Sequence, residues 1–284
     1  MSNPAVIRSS PAARPAVRSW SRRPSWWVVA LAGLGLLFLA MPVLALLARA
    51  VESGALGSAL AGRAVLDALV LSLSSTAVSL VVVIAFGTPL AFVLARTSFR
   101  GKALAEALVD LPIVLPPSVA GLALLFAYGR NGVAGGALEL VGLTLPFTTL
   151  AVIVAQVFVA SPFYIRAARS GFRAVSPEVE EAARVDGASE NAVLGRITMP
   201  LAAPAIGAGL VLAWARALGE FGATILFAGN LEGRTQTLPL LVYSEFQAGL
   251  DEAIAAATIL VLAALGVLIA VRLMRWPSGA GWFS

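Results

Sequence analysis

Arg216 and Glu220 stand one helical turn apart inside a long apolar run, Trp214-Ala215-Arg216-Ala217-Leu218-Gly219-Glu220-Phe221-Gly222-Ala223-Thr224. An arginine at the centre of a membrane span costs at least about 2.5–3.5 kcal/mol, so it must face protein or a water-filled path and find a partner. Two chemistries fit such a pair. Either it is an ion pair that holds helices together, or Arg216 borders a path where a cation eases the passage of an anion. Spacing alone does not choose between them. Gly219 and Gly222 allow close helix approach in the same run, including across a dimer axis. Catalytic chemistry is poorly supplied, because the chain has neither histidine nor cysteine. That excludes disulfides, thiolate or imidazole metal sites, Cys or Ser/His nucleophiles and histidine proton relays. No catalytic or metal-ligating residue is assigned.

The second group of informative residues is polar and lies between apolar stretches: Glu181-Ala182-Ala183-Arg184-Val185-Asp186-Gly187-Ala188, running on to Ile197-Thr198-Met199-Pro200. Ser176 is expected to cap a helix whose first residue is Pro177, where a missing N–H costs nothing. Glu178, Glu180 and Glu181 load the positive end of its dipole. Gly187 ends that helix, Ser189 caps a second one from Glu190 to Ile197, and Pro200 stops it. The insert therefore reads as two short helices with a glycine hinge. Its apolar positions, Val179, Ala182, Ala183, Val193, Leu194 and Ile197, recur at helical spacing and could be buried against another protein.

Composition says what positions these residues. The chain of 284 residues is 59% hydrophobic and 12% charged, with a mean hydropathy of +0.91. Soluble domains carry roughly 25% charged residues, so this is an all-α integral membrane protein. Six spans are expected, near Trp26–Ala48, Asp67–Leu94, Leu108–Tyr128, Phe147–Ile165, Leu201–Phe227 and Ala253–Leu273, each of about twenty apolar residues. Gly87, Pro89, Pro112, Pro116, Pro117 and Pro204 imply kinks. Residues 1–25, rich in Pro, Ser and Arg, read as a disordered tail. An uncleaved first span with its outer connection follows at 26–66, the main domain at 67–275, and a short tail at 276–284.

The net charge of +5 does not point to nucleic acid, because the arginines lie between apolar spans and follow the positive-inside rule. With the N-terminus placed in the cytoplasm, Arg8, Arg14, Arg18, Arg22, Arg23, Arg96, Arg100, Lys102, Arg166, Arg169, Arg173, Arg184, Arg196, Arg272 and Arg275 all fall on the inner side. Only Arg49, Arg63, Arg130 and Arg234 fall outside. Both termini and the loop 166–200 are then cytoplasmic, in a multi-pass protein of the cell membrane.

The pattern Glu-Ala-Ala, three residues, Gly, nine residues, Ile, one residue, an apolar residue and Pro resembles the signature loop of ABC-importer permeases. Met199 stands where that loop usually has leucine, a swap that keeps volume and apolarity. By this resemblance, coupling to an ATPase falls to Glu181, Ala182, Ala183, Gly187, Ala188, Ile197 and Pro200. The run Arg216 to Thr224, with Ala228-Gly229-Asn230, Gly233 to Leu240 and Tyr243, looks like the corresponding region of molybdate permeases, the ModB family, close to the sulfate and tungstate permeases. The resemblance covers roughly Asp67 to Arg272. It implies a type I importer fold, a homodimer, two ABC ATPase subunits and an extracytoplasmic oxyanion-binding protein. Arg216, Gly219, Glu220, Gly222 and Thr224 would then line the translocation path.

Energy supply points the same way. A phosphate-binding P-loop needs Gly, four residues, Gly, Lys and then Ser or Thr. The single lysine, Lys102, follows Gly101, but Ala103 follows it and Arg96 takes the place of the first glycine. The chain is thus expected to bind no cofactor, with ATP and magnesium held by a separate ATPase. Sulfate, thiosulfate or tungstate are the alternative cargoes. A rival of another class is a transporter driven by an ion gradient, for which Glu220 is the one carboxylate well inside a span and Asp110 lies near the inner end of the third.

Overall fold

The computed structural model describes residues 25–54, 57 and 63–273. The expected N-terminal tail up to Pro24, most of the connection at 55–62 and the C-terminal tail at 276–284 lie outside the described residues. Every regular element among the described residues is helical: α1 (Trp26–Glu52), α2 (Arg63–Arg96), α3 (Lys102–Val114), α4 (Pro117–Tyr128), α5 (Gly135–Leu140), α6 (Thr149–Ala174), α7 (Pro177–Val185), α8 (Glu190–Val193), a π-turn (Leu194–Thr198), α9 (Met199–Leu218), α10 (Gly222–Phe227), α11 (Leu238–Ala248) and α12 (Leu250–Leu273). Four runs are long and apolar enough to cross a bilayer by themselves: α1, α2, α6 and the continuous Glu190–Leu218; Pro117–Tyr128 and Ala253–Ile269 are shorter apolar helices. α1 forms a unit of its own up to Ala45, and the rest of the chain is the second unit.

Within that second unit α6 is the hub, packed against α2 and α9 and touched by α3, α4 and α10. Lipid tails are as apolar as leucine, so helices in a membrane hold together through close packing and hydrogen bonds rather than through the hydrophobic effect. The α6–α9 interface shows this. A Cβ on Gly209 would lie 2.6 Å from Ala167 Cβ and one on Gly171 would lie 2.7 Å from Ala205 Cβ. The two helices therefore run antiparallel with backbones nearly touching. Polar side chains join α2 to the hub. Ser79 Oγ donates to Gln156 Oε1 at 2.9 Å, Gln156 Nε2 donates to Thr76 Oγ1 at 3.3 Å, and Thr88 Oγ1 shares a 2.6 Å hydrogen bond with Tyr164 Oη. Such interhelical bonds average about 0.6 kcal/mol each.

Two expected spans are interrupted. Leu108–Tyr128 breaks at Leu115-Pro116, with Leu115 extended at φ −67°, ψ 131°. A residue before proline is pushed out of the helical region, and Pro117 then suits the start of α4. Leu201–Phe227 breaks at Gly219–Phe221, for reasons given below. By contrast, helices continue through Pro89, Pro112 and Pro204. Boundaries also move. The expected Phe147 start becomes Thr149, because Phe147 sits at φ 60° and the Thr148 side chain caps α6 by accepting from Ala151 N.

Gly209→Val should force α6 and α9 apart and lower stability by about 1–3 kcal/mol, as overpacking does. Thermal unfolding of the detergent-purified protein checks this. Gly266→Val, where an added Cβ meets nothing within 4 Å, should leave the midpoint nearly unchanged.

Candidate functional site

The polar insert folds as the expected hairpin. α7 ends in a Schellman motif: Ala188 N donates to Ala183 O at 2.9 Å and Gly187 N to Arg184 O at 3.0 Å. That geometry places Gly187 at φ +90°, the left-handed region that glycine enters at little cost. Ser189 caps α8, its side chain accepting from Ala192 N. Ser176 departs from expectation, because its hydroxyl turns to the Glu178 carboxylate instead of capping the helix backbone. That hydrogen bond holds Glu178 below its usual range. Arg184 is raised by its hydrogen bond to Glu190, Nε to Oε1 at 2.7 Å, which straps α7 to α8 across the glycine.

Pro200 does not stop the second helix. The chain widens into the π-turn Leu194–Thr198 and runs straight on into α9. A proline clashes with the carbonyl four residues earlier and brings no N–H. The wider turn relieves both faults, with Met199 N donating to Leu194 O.

The hairpin residues divide sharply by exposure. Glu181 and Ala182 are exposed, Ala183, Ala188 and Ile197 are partly buried, and Pro200 is exposed. The apolar face expected to be free is only partly so. Val193 is buried within the chain, whereas Val179 and Val185 are 46% and 87% exposed. The unpartnered apolar surface thus lies on α7. Its buried member is Glu180, whose Oε1 accepts from Arg96 Nη2 at 2.7 Å and from Thr198 Oγ1 at 2.7 Å; Arg96 also donates to Val175 O at 3.1 Å. The sequence pattern assigns Glu180 only to the helix dipole. A basic residue ending a span signals a need for an acidic partner, but the partner lies 84 positions away. Nearby, Glu106 of α3 meets both Arg169 at 3.0 Å and Arg173 at 3.1 Å on α6.

At the far end of α9 the second group assembles around the break. α9 ends at Leu218, and Gly219 and Glu220 turn the chain into α10. Glu220 Oε1 accepts from Ala223 N at 2.7 Å, so the carboxylate satisfies an amide at the start of α10. Its Oε2 lies 2.6 Å from Arg216 Nη1; the Glu220 side chain is 0% exposed and that of Arg216 27%. The pair is therefore i, i+4 in spacing, as expected, but it bridges a helix end and a loop rather than two turns of one helix. Gly222 serves close approach within the chain, since a Cβ there would lie 2.5 Å from Pro117 Cβ. Thr224 is buried beside it with its hydroxyl unpartnered. Gly219 meets nothing closer than its own helix.

Beyond Phe221 lies an open groove of about 440 Å³, lined by Phe221, Pro239, Val242, Tyr243, Phe246 and Leu260, among others. Its walls are apolar, so it is not built to hold an oxyanion. Phe221 and Tyr243 form a tilted ring pair with centroids 5.2 Å apart. The run from Gly233 to Leu240 is tied down by polar groups: Leu231 N donates to Thr235 Oγ1 at 2.9 Å, and Leu238 N donates to Ser72 Oγ of α2 at 2.7 Å. No cluster of three or more potential metal-ligating side chains occurs among the described residues.

The arrangement matches known transport proteins in sequence and in fold. The profile of the family described as "Binding-protein-dependent transport system inner membrane component" matches residues 87–276. The chain is 42% identical over 208 residues to a probable transport system permease protein, NifC, of Clostridium pasteurianum, covering 72% of each chain. It is 40% identical over 253 residues to the molybdenum transport system permease protein ModB of Mycobacterium tuberculosis, covering 89% of this chain and 95% of that one. Among solved structures, a bacterial alginate ABC transporter in complex with an alginate-pentasaccharide-bound periplasmic protein gives a TM-score of 0.66 at 19% identity, over 87% of this chain and 92% of that one. That likeness establishes the fold, the one used by ABC importer permeases. With its several apolar helices the chain is a multi-pass membrane protein, and it belongs to the family of binding-protein-dependent transport system inner membrane components.

Proposed function

We propose that this chain is the permease subunit of an ATP-driven importer that moves molybdate from an extracytoplasmic binding protein to the cytoplasm. Two copies form the pathway, and two ABC ATPase subunits dock on the cytoplasmic side and hydrolyse the ATP. The observation that carries this reading is the α7–α8 hairpin: a Schellman-closed finger with an exposed apolar face at Val179, Ala182 and Val185. A finger of that kind fits a cleft on a motor protein. The alginate relative was solved with a periplasmic protein, which supports a binding-protein partner here. The molybdenum name of the 40% identical relative supports the cargo.

In this mechanism, closure of the ATPase pair draws the two hairpins together and biases the bundle between inward- and outward-facing states. Glu181, Ala182, Ala183, Gly187, Ala188, Ile197 and Pro200 form or shape the docking finger. The Arg216 side chain is partly exposed, while that of Glu220 is fully buried and engaged with Ala223 N. Glu220, Gly222 and Thr224 therefore hold the break in shape, and Arg216 is the group that can meet an anion. Contact with cargo is weak and transient, as release requires.

Gly187→Val strains a left-handed position by roughly 1–2 kcal/mol, and Glu181→Lys reverses the charge on the finger. Each should cut molybdate uptake into proteoliposomes while the chain still inserts in the membrane; unchanged uptake would count against docking. Arg216→Ala leaves the Glu220 charge buried without its partner, a change that costs about 3–5 kcal/mol. The double variant Arg216→Ala/Glu220→Gln should recover assembly but not uptake. Recovered uptake would make the pair purely structural. Competition by tungstate and sulfate in the same vesicles decides the cargo.

A further inference from the structure

Of the residues of α7, Glu180 is the buried one, so this half of the finger is anchored by a charge, whereas α8 buries the apolar Val193. Taking a carboxylate out of water is costly unless it is well paired. Here one oxygen, Oε1, takes both partners: Arg96, at the last residue of α2, and Thr198, at the last residue of the π-turn, each at 2.7 Å. The Thr198 hydroxyl also reaches Val193 O at 3.4 Å, a carbonyl beside the π-turn. Single-turn π segments recur at functional sites, where they let a helix change register without losing its run. α2 packs on α6 and on α9, and α9 carries Arg216 in its last turn. A displacement of α7 therefore reaches α2 and the head of α9 through one carboxylate oxygen, and α9 carries the Arg216 guanidinium beside the break.

We infer that Glu180 is the positioning residue of the coupling apparatus: it latches the docking finger to α2 through Arg96 and to α9 through Thr198, so that motion of the finger becomes motion of the bundle. Glu181 is exposed and faces outward for the motor, whereas its neighbour faces inward and transmits. This rests on the importer reading. A purely structural role would lower assembly and leave the work done per ATP unchanged in whatever assembles. A latch makes a different demand, because loosening it lets the motor turn over without moving the path.

The test uses the full complex, with its ATPase subunits and binding protein, in proteoliposomes, and reads ATP hydrolysed per molybdate transported. Glu180→Gln keeps an acceptor for Thr198 but removes the charge that Arg96 needs. It should raise the ratio about five- to tenfold with ATPase subunits still co-purifying, within the range of measured coupling energies. Thr198→Val, a near-isosteric change less prone to disturb folding, should raise it about two- to threefold. Arg96→Lys retains the charge and should stay near wild type. A wild-type ratio in both Glu180→Gln and Thr198→Val overturns the latch while leaving the importer standing. Failure of the unaltered chain to capture ATPase subunits overturns the importer reading and the latch with it.

Discussion

A helix that stops inside an apolar layer leaves amides and carbonyls that water is not there to satisfy, and a neighbouring side chain is one group that can take them. Three helix starts in this chain are closed in that way. Glu220 accepts from Ala223 N where α10 begins, Ser72 accepts from Leu238 N where α11 begins, and Thr148 accepts from Ala151 N where α6 begins. The broken helices would be unaffordable without these bonds. They also explain why the polar residues of an otherwise apolar chain sit where they do.

The same requirement separates the roles of the charged residues. Glu220 and Glu180 are both buried and each is paired with an arginine, but at opposite ends of α9; Glu180 accepts from Arg96 and Thr198, and Glu220 accepts from Ala223 N. One stabilises a break in the span, and the other holds an external finger against the bundle. Arg216 and Arg96 serve as their cations, and Arg216 retains exposure that its partner lacks. Between the two ends, α9 is held along its length by the small-residue contact with α6, where Gly171 and Gly209 leave no room for a side chain. A helix clamped so closely moves as one body or not at all, because packed interfaces switch between discrete arrangements rather than deform smoothly.

Much of this was legible beforehand. Hydropathy located the six apolar stretches, and the hairpin of α7 and α8 followed from local signals, with Pro177 and Ser189 at helix starts and Gly187 at the end of α7. Those signals act within a few residues of themselves, which is why they survive without knowledge of the fold. Where the structure differs, a competing local geometry won. Pro200 should have ended its helix, yet a π-turn absorbed the clash. Ser176 should have capped α7, yet the nearby Glu178 carboxylate took its hydroxyl. The span from Leu201 to Phe227 looked continuous, yet it breaks at Gly219 to Phe221.

By itself, then, the order of residues determined a helical membrane chain, the positions of its apolar stretches and a glycine-closed polar finger, because periodicity, hydropathy and capping are local properties. Only the tertiary structure decided that Glu180 rather than Glu181 turns inward, that Gly222 packs on Pro117, and that Glu220 serves an amide as well as Arg216. The first two depend on pairs, Arg96 with Glu180 and Pro117 with Gly222, that are remote in the chain and adjacent only once the helices have packed. A charge within a span announces that it needs a partner, and packing alone names which one.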